Sequence, residues 1–206
     1  GVVTRNLSGD LQAHGGFEIA FWRSLFAALA VGAYLVLGTP RGLAAVAATG
    51  AAGLLSGAMW AVMFTAFMLA LTYTTTANTL LVMSLSPLLT ALLARLVIGT
   101  PIAARTWGAI AAAMAGMAWM FVSEAGLEGS GNHLIGMLIA FAVPLGSAVN
   151  LVTLHNARTR VDLIPAILIG GVLSVLVTLP FAIPFRAAGT DVGLLALLGV
   201  AQLAVP

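Results

Sequence analysis

Between Ala77 and Ile98 the chain runs for 22 residues with a single charge, Arg95, near one end. In water such a run is an aggregation hazard. In a bilayer it is a spanning helix, since about 20 apolar residues rising about 1.5 Å each cross roughly 30 Å of hydrocarbon. The rest of the chain agrees. Hydrophobic residues make up 61% of it and charged residues 7%, against about 25% charged in a soluble domain. No soluble fold of this size hides that much apolar surface, so the class is an all-α integral membrane protein, a multi-span helical bundle.

The lack of cysteine removes disulfides, thiol catalysis and Cys-ligated metal. The net charge of +2 comes from eight arginines against six acids, with no lysine. Those arginines stand singly, so the basic cluster that nucleic acid requires is missing. The chain starts at Gly1 in a short polar tail and stops at Pro206 inside an apolar run. It reads as an internal fragment of a longer protein, and no signal peptide is visible.

In order, Gly1 to Leu7 reads as the end of a preceding helix and Ser8 to Gly16 as a polar loop with Asp10 and His14. Phe17 to Leu37 is the first complete span. Leu43 to Ala52 is ambiguous between loop, interfacial piece and early span. Gly53 to Leu71 is the second span, Ala77 to Ile98 the third and Trp107 to Val122 the fourth. The hinge Thr72 to Thr76 is too short for anything but antiparallel neighbours. Leu134 to Leu154 is the fifth span, Leu163 to Phe185 the sixth, and a seventh runs on to Pro206.

Alternate loops and flanks hold Arg41, Arg95, Arg105, Arg158 and Arg160, while the other set holds Arg5 and Arg186 with Asp10, Glu124, Glu128 and Asp191. Arginine excess in short loops marks the cytoplasmic side. The first complete span therefore runs from outside to inside. Trp22, Trp107 and Trp119 fall near span ends, as interfacial residues do, and Trp60 lies deeper.

Two halves echo one another. Leu54 to Ala58 can be laid on Ala196 to Val200 with an offset of 142 (199 less 57), and the same offset lays the first complete span on the sixth. With a preceding helix counted, each half has five spans. An odd number inverts the second half, as in many secondary transporters that bind substrate between repeats.

Phe21-Trp22-Arg23-Ser24-Leu25, Ala70-Leu71-Thr72-Tyr73-Thr74 with Ala77-Asn78, and Ser84-Leu85-Ser86-Pro87-Leu88 with Ala91-Leu92 resemble the EamA-type drug/metabolite transporters. So do Trp107-Gly108-Ala109-Ile110 with Gly116, and Gly199-Val200-Ala201-Gln202-Leu203. The resemblance spans nearly the whole chain in order. It implies a ten-helix fold of two inverted five-helix repeats with both termini cytoplasmic. Residues 1–123 would be the first repeat, its first helix mostly missing, and 124–206 the second, cut after its third helix begins. Such proteins usually carry an acid after the glycine ending the fourth helix. Here Thr100 and Pro101 follow Gly99, which puts any salt bridge made there in doubt.

Several residues are candidates for a substrate cavity. Thr75, Thr79, Ser86 and Thr90 repeat at spacings of four, seven and four, a hydroxyl stripe on one face. Pro87 has no N–H, so the Met83 carbonyl loses its donor and the helix is expected to kink. The stripe either lines a polar cavity or bonds back to its own helix. Asn78 lies near a helix end within reach of water, and Trp60 joins the cavity set by depth. In the fifth span Pro144, Ser147 and Asn150 form a parallel group, with Ser147 and Asn150 on one face. The resemblance pairs this span with the missing first helix, both facing the centre. Asn150 in apolar surroundings needs a partner, either a ligand or another helix.

Glu18 and Arg23 are ionisable and lie near the outer interface, where snorkelling makes charge tolerable. They read as anchors, with an entrance role as the alternative. His155 follows a span on the cytoplasmic side, as a proton-coupling or a solvated loop residue. Gly108, Ala112 and Gly116, like Gly170, Ser174 and Thr178, carry the small-residue spacing of close helix packing.

The function these features suggest is secondary transport of a small organic solute across the bacterial cytoplasmic membrane by alternating access. The resemblance favours export. A charge-poor interior suits a neutral, zwitterionic or amphipathic solute, and protons are a candidate coupling ion. The expected partners are the solute and the lipid bilayer, with no cofactor, metal, nucleic acid or catalytic residue. No Gly-x-Ser-x-Gly, His-Glu-x-x-His or intramembrane aspartate pair supports a membrane protease. A non-transporting receptor or scaffold is the rival. Oligomeric state is not fixed by these features.

Overall fold

A computed structural model describes residues 15–38, 42–125, 131–156 and 163–204. Among them the chain forms helices α1 (Gly16–Gly38), α2 (Gly42–Ala48), α3 (Gly50–Tyr73), α4 (Thr76–Met83), α5 (Ser86–Ile98), α6 (Ala104–Ala125), α7 (Gly131–Asn156), α8 (Leu163–Ala182) and α9 (Gly189–Ala204), with no strand. Six stretches are long and apolar enough to cross a membrane, α4 and α5 together forming the third, and α9 is a shorter apolar helix. The all-helical multi-span bundle is therefore as expected. The preceding helix end and the residues Arg5, Asp10, His14, Arg41, Glu128, Arg158, Arg160 and Asp162 lie outside the described residues.

Local chemistry sets the boundaries. The ambiguous stretch after Arg41 resolves into the short helix α2, and α3 starts at Gly50. The hinge shrinks to Thr74 and Thr75. The Thr75 hydroxyl caps α4 by accepting the Asn78 N–H at 3.2 Å. The third span is two helices rather than one, parted at Ser84 and Leu85, with Pro87 in the first turn of α5. A proline there gives up no helical bond of α5 and cannot extend α4. α5 ends on Gly99, whose φ of +80° is left-handed and whose N–H returns to the Arg95 carbonyl. Pro144, by contrast, sits buried inside α7, and that helix runs through it.

α7 and α8 hold the bundle together. α3 lies between them, α8 also packs on α1, and α1 packs on α9; α4 and α5 pack on α7. In lipid the hydrophobic effect does not pull helices together, so close backbone approach does that work. A Cβ built at Gly57 would lie 2.7 Å from the Ile169 Cβ and 3.1 Å from the Ala166 carbonyl oxygen. One at Gly170 would lie 2.5 Å from the Trp60 Cβ and 2.9 Å from the Gly57 carbonyl oxygen. Gly171 approaches Ala28 in the same manner, and Gly199 approaches the Arg23 carbonyl, Phe26 and Ala27.

The stripe on α6 behaves otherwise. A Cβ at Gly108 or Gly116 meets nothing within 4 Å. α6 docks by a different face, through Ala113, Met117, Met120 and Phe121, against Ala70, Val82, Leu85 and Ala140. Small residues at spacing four permit close approach, but bulky apolar residues on another face decided the docking. The expectation of packing at Gly108, Ala112 and Gly116 is corrected for the described residues.

Candidate functional site

Buried polar side chains gather where residues 16–73 meet residues 131–204. Toward the C-terminal half of α3, Ser174 of α8 shares hydrogen bonds of 2.9 Å with both Ser24 of α1 and Thr65 of α3. Thr178, one turn on, donates to the Ser174 carbonyl at 2.7 Å. Toward the N-terminal end of α3 the Ser56 hydroxyl donates to Asn150 Oδ1 of α7 at 2.6 Å. Asn150 is 7% exposed, so this contact answers the demand for a partner with another helix. Ser24, Ser56, Thr65 and Ser174 were not singled out as polar partners by sequence. Only the spacing of Gly170, Ser174 and Thr178 pointed to that crossing, and it pointed to packing alone.

Trp60 lies one turn above Ser56 and one turn below Phe64 on α3, so the three share a face. Its ring stands 5.3 Å from that of Phe64, and the Arg23 guanidinium lies 5.2 Å from the Phe64 centroid. The cation and the indole thus flank one phenyl ring. Trp60 Nε1 is buried and has no hydrogen-bond partner among the described residues. His133 Nδ1, at the start of α7, is in the same condition.

Glu18 and Arg23 do not snorkel. Each is 3% exposed. The Glu18 carboxylate accepts the Arg186 N–H on both oxygens at 3.0 Å, the Ala187 N–H at 2.8 Å and the Trp22 Nε1–H at 3.3 Å. Arg186 and Ala187 stand in the non-helical segment between α8 and α9, whose amides lack helical acceptors. A carboxylate offering several lone pairs satisfies them where burial keeps water away. Phe17 stacks on Phe181 at 4.9 Å, and Phe21 and Trp22 lie 5.2 and 5.3 Å from Phe185, so rings surround the carboxylate contact. Trp22 is therefore half-buried against these rings, while Trp107 and Trp119 face outward.

The hydroxyl stripe bonds to its own backbone. Thr79 donates to the Thr75 carbonyl at 3.1 Å and Thr90 to the Ser86 carbonyl at 2.7 Å, while beside the stripe the Asn78 side chain donates from Nδ2 to the Thr74 hydroxyl at 3.2 Å. Ser86 donates to the Met83 carbonyl at 2.8 Å, the acceptor that Pro87 leaves without an N–H. Ser86→Ala should therefore cost about 1 kcal/mol by orphaning that carbonyl, read as a lower melting temperature in detergent. An unchanged melting temperature would show the carbonyl satisfied elsewhere.

Thr79 is buried and Ser86, Thr90 and Ser147 are half-buried. Thr90, Thr100 and His155 border a cleft of about 160 Å³ between α5 and α7 at their C-terminal ends, and His155 lies in the last turn of α7. A second cleft, about 400 Å³, is lined by Leu55, Leu93, Val97, Val149 and Thr153 of α3, α5 and α7. Trp60 and Asn150 thus lie on the α3 and α7 face of the interior, while Thr79, Ser86 and Thr90 follow α4 and α5 beside it. Among the described residues no three His, Cys, Asp or Glu side chains converge as a metal site would need.

The model of the EamA-like transporter family matches residues 1–122, more than half of the chain. No curated protein and no solved structure matches it.

Proposed function

The chain belongs to the EamA-like transporter family, a family of membrane transporters in the drug/metabolite superfamily, and on that premise we propose that it carries a small organic solute by alternating access between two inverted repeats. Residues 1–123 and 124–206 are the two repeats in this reading, each five helices when complete. The bacterial cytoplasmic membrane is its location and export its direction.

The observation that carries the proposal is an exchange of contacts. Gly57 of α3 packs against Ile169 of α8, and Gly199 of α9 packs against Ala27 of α1. The offset of 142 that lays Gly57 on Gly199 also lays Ala27 on Ile169. The two crossings are thus each other's counterpart, as a two-fold relation between repeats requires. Ala28 and Gly171 meet between them, close to where such an axis would pass. Beside this axis, Ser24–Ser174, Thr65–Ser174 and Ser56–Asn150 all cross from one repeat to the other. These hydroxyl and small-residue contacts can part without stranding a charge in lipid. By contrast, the Glu18 carboxylate on the Arg186 and Ala187 amides also ties the two repeats, where α1 meets the segment before α9.

An interior poor in charge favours a neutral, zwitterionic or amphipathic solute. The test is flux into proteoliposomes bearing the intact protein, over a panel of amino acids, nucleosides and amphipathic drugs. Saturable flux of at least one class is expected. No flux for any of them would contradict the proposal and favour the receptor or scaffold reading.

A further inference from the structure

We propose that the Trp60 indole N–H is the donor that selects the solute, and that the solute presents an oxygen acceptor, a carbonyl or carboxylate, on an apolar body. This deepens the transport reading above and rests on it.

Ser56, Trp60 and Phe64 form a ladder on one face of α3, and the rungs above and below Trp60 are both occupied. Ser56 donates to Asn150, and Phe64 carries the Arg23 guanidinium over its ring. Of the three, Trp60 has no polar partner among the described residues, although its Nε1 is shut away from solvent. Indole is a donor only, so nothing but an acceptor satisfies it. Buried polar groups nearly always find partners, which makes an orphaned donor a group held for something that comes and goes.

The surroundings fix what that acceptor is attached to. The Trp60 backbone is pinned where α3 crosses α8, with Gly170 against its Cβ, so the indole hangs from a rigid crossing. Phe64 lies against it, and the Met63 side chain of the same helix reaches Gly146 of α7. The Phe64 ring and the Met63 thioether suit an apolar body, and the N–H and the nearby guanidinium suit an oxygen. The Nε1 edge of the indole is buried in this conformation while the residue as a whole is half-buried. A solute that reaches it arrives between α7 and α8, the two helices that grip α3.

Two measurements test this in the intact protein. In nanodiscs with ¹⁵N-labelled tryptophan, the Trp60 indole signal is assigned by its loss in Trp60→Phe. Without solute, its proton should resonate upfield of that of Trp22, whose N–H donates to Glu18. A Trp60 proton as far downfield as that of Trp22 would show a resident partner and overturn the proposal, whether or not the protein transports anything. In proteoliposomes, Trp60→Phe should raise KM about tenfold, the worth of one hydrogen bond, for the carbonyl- or carboxylate-bearing panel members carried by the wild type. Their maximal rate should fall less than twofold, and carried analogues lacking that oxygen should keep their KM. An unchanged KM for the oxygen-bearing solutes, or an equal rise for both kinds, would overturn the proposal while leaving transport itself established. A wild type that carries none of the panel would contradict the transport reading, and the indole signal would still decide whether Trp60 has a partner.

Discussion

Gly170→Val is expected to prevent stable assembly of the bundle. Even a methyl group at this position would lie 2.5 Å from the Trp60 Cβ, 2.9 Å from the Gly57 carbonyl oxygen and 3.2 Å from the Ala61 nitrogen. Two of those neighbours are backbone atoms, which cannot rotate away as a side chain can. α8 must instead lift from α3. That separation also opens the contact of Gly57 with Ile169 and the hydrogen bond between Thr65 and Ser174. Overpacking in a tight core costs about 1–3 kcal/mol; with the lost crossing added, we expect about 3 kcal/mol or more. The measurement is unfolding of the purified protein in detergent, with the monodisperse fraction as a second readout. Gly108→Val is the control. An added Cβ there meets nothing within 4 Å, so it should change stability by less than about 0.5 kcal/mol. Equal behaviour of the two variants would refute the α3–α8 crossing as described.

Asn150→Leu should reduce flux by more than about twentyfold while the protein still folds. The structural part of its role is small. Losing the Ser56–Asn150 bond removes about 1 kcal/mol, since interhelical hydrogen bonds in membranes average near 0.6, and Ser56 can turn its hydroxyl to its own helix. Adding Ser56→Ala separates the two roles. The double variant leaves an apolar pair with no orphaned hydroxyl, so stability should return to near that of the wild type. Flux should stay low if Asn150 also serves the solute path, as the proposed reading has it. Recovery of flux together with stability would make Asn150 a packing residue.

How far these features were legible in the sequence depends on how far apart the partners lie. Hydropathy found the spans, because apolar runs such as Ala77 to Ile98 need no knowledge of their neighbours. The break at Ser84 and Leu85 was half-visible. Pro87 signalled a lost donor, but that Ser86 would take the freed Met83 carbonyl depends on rotamer as well as spacing. Asn150 plainly needed a partner, and nothing local chose Ser56, 94 residues away. Ser174 looked like a packing residue because its partners, Ser24 and Thr65, are 150 and 109 residues distant. Glu18 looked like a snorkelling anchor for the same reason: the amides that hold it, at Arg186 and Ala187, come 168 and 169 residues later. The stripes at Gly108 and Gly170 are alike in sequence, yet only the second meets a facing helix. Spacing states what a face permits, and the partner decides whether the permission is used.

The central claim is that solute crosses by alternating exposure of one site between two repeats, and counterflow tests it most directly. Proteoliposomes bearing the intact protein are loaded with an unlabelled solute that the flux panel has shown to be carried, then diluted into a trace of the same solute carrying a label. Alternating access predicts that the label accumulates transiently above its outside concentration, because each returning carrier brings a labelled molecule in exchange for an unlabelled one. Label that only rises to equilibrium, at a rate indifferent to the internal load, would contradict the account.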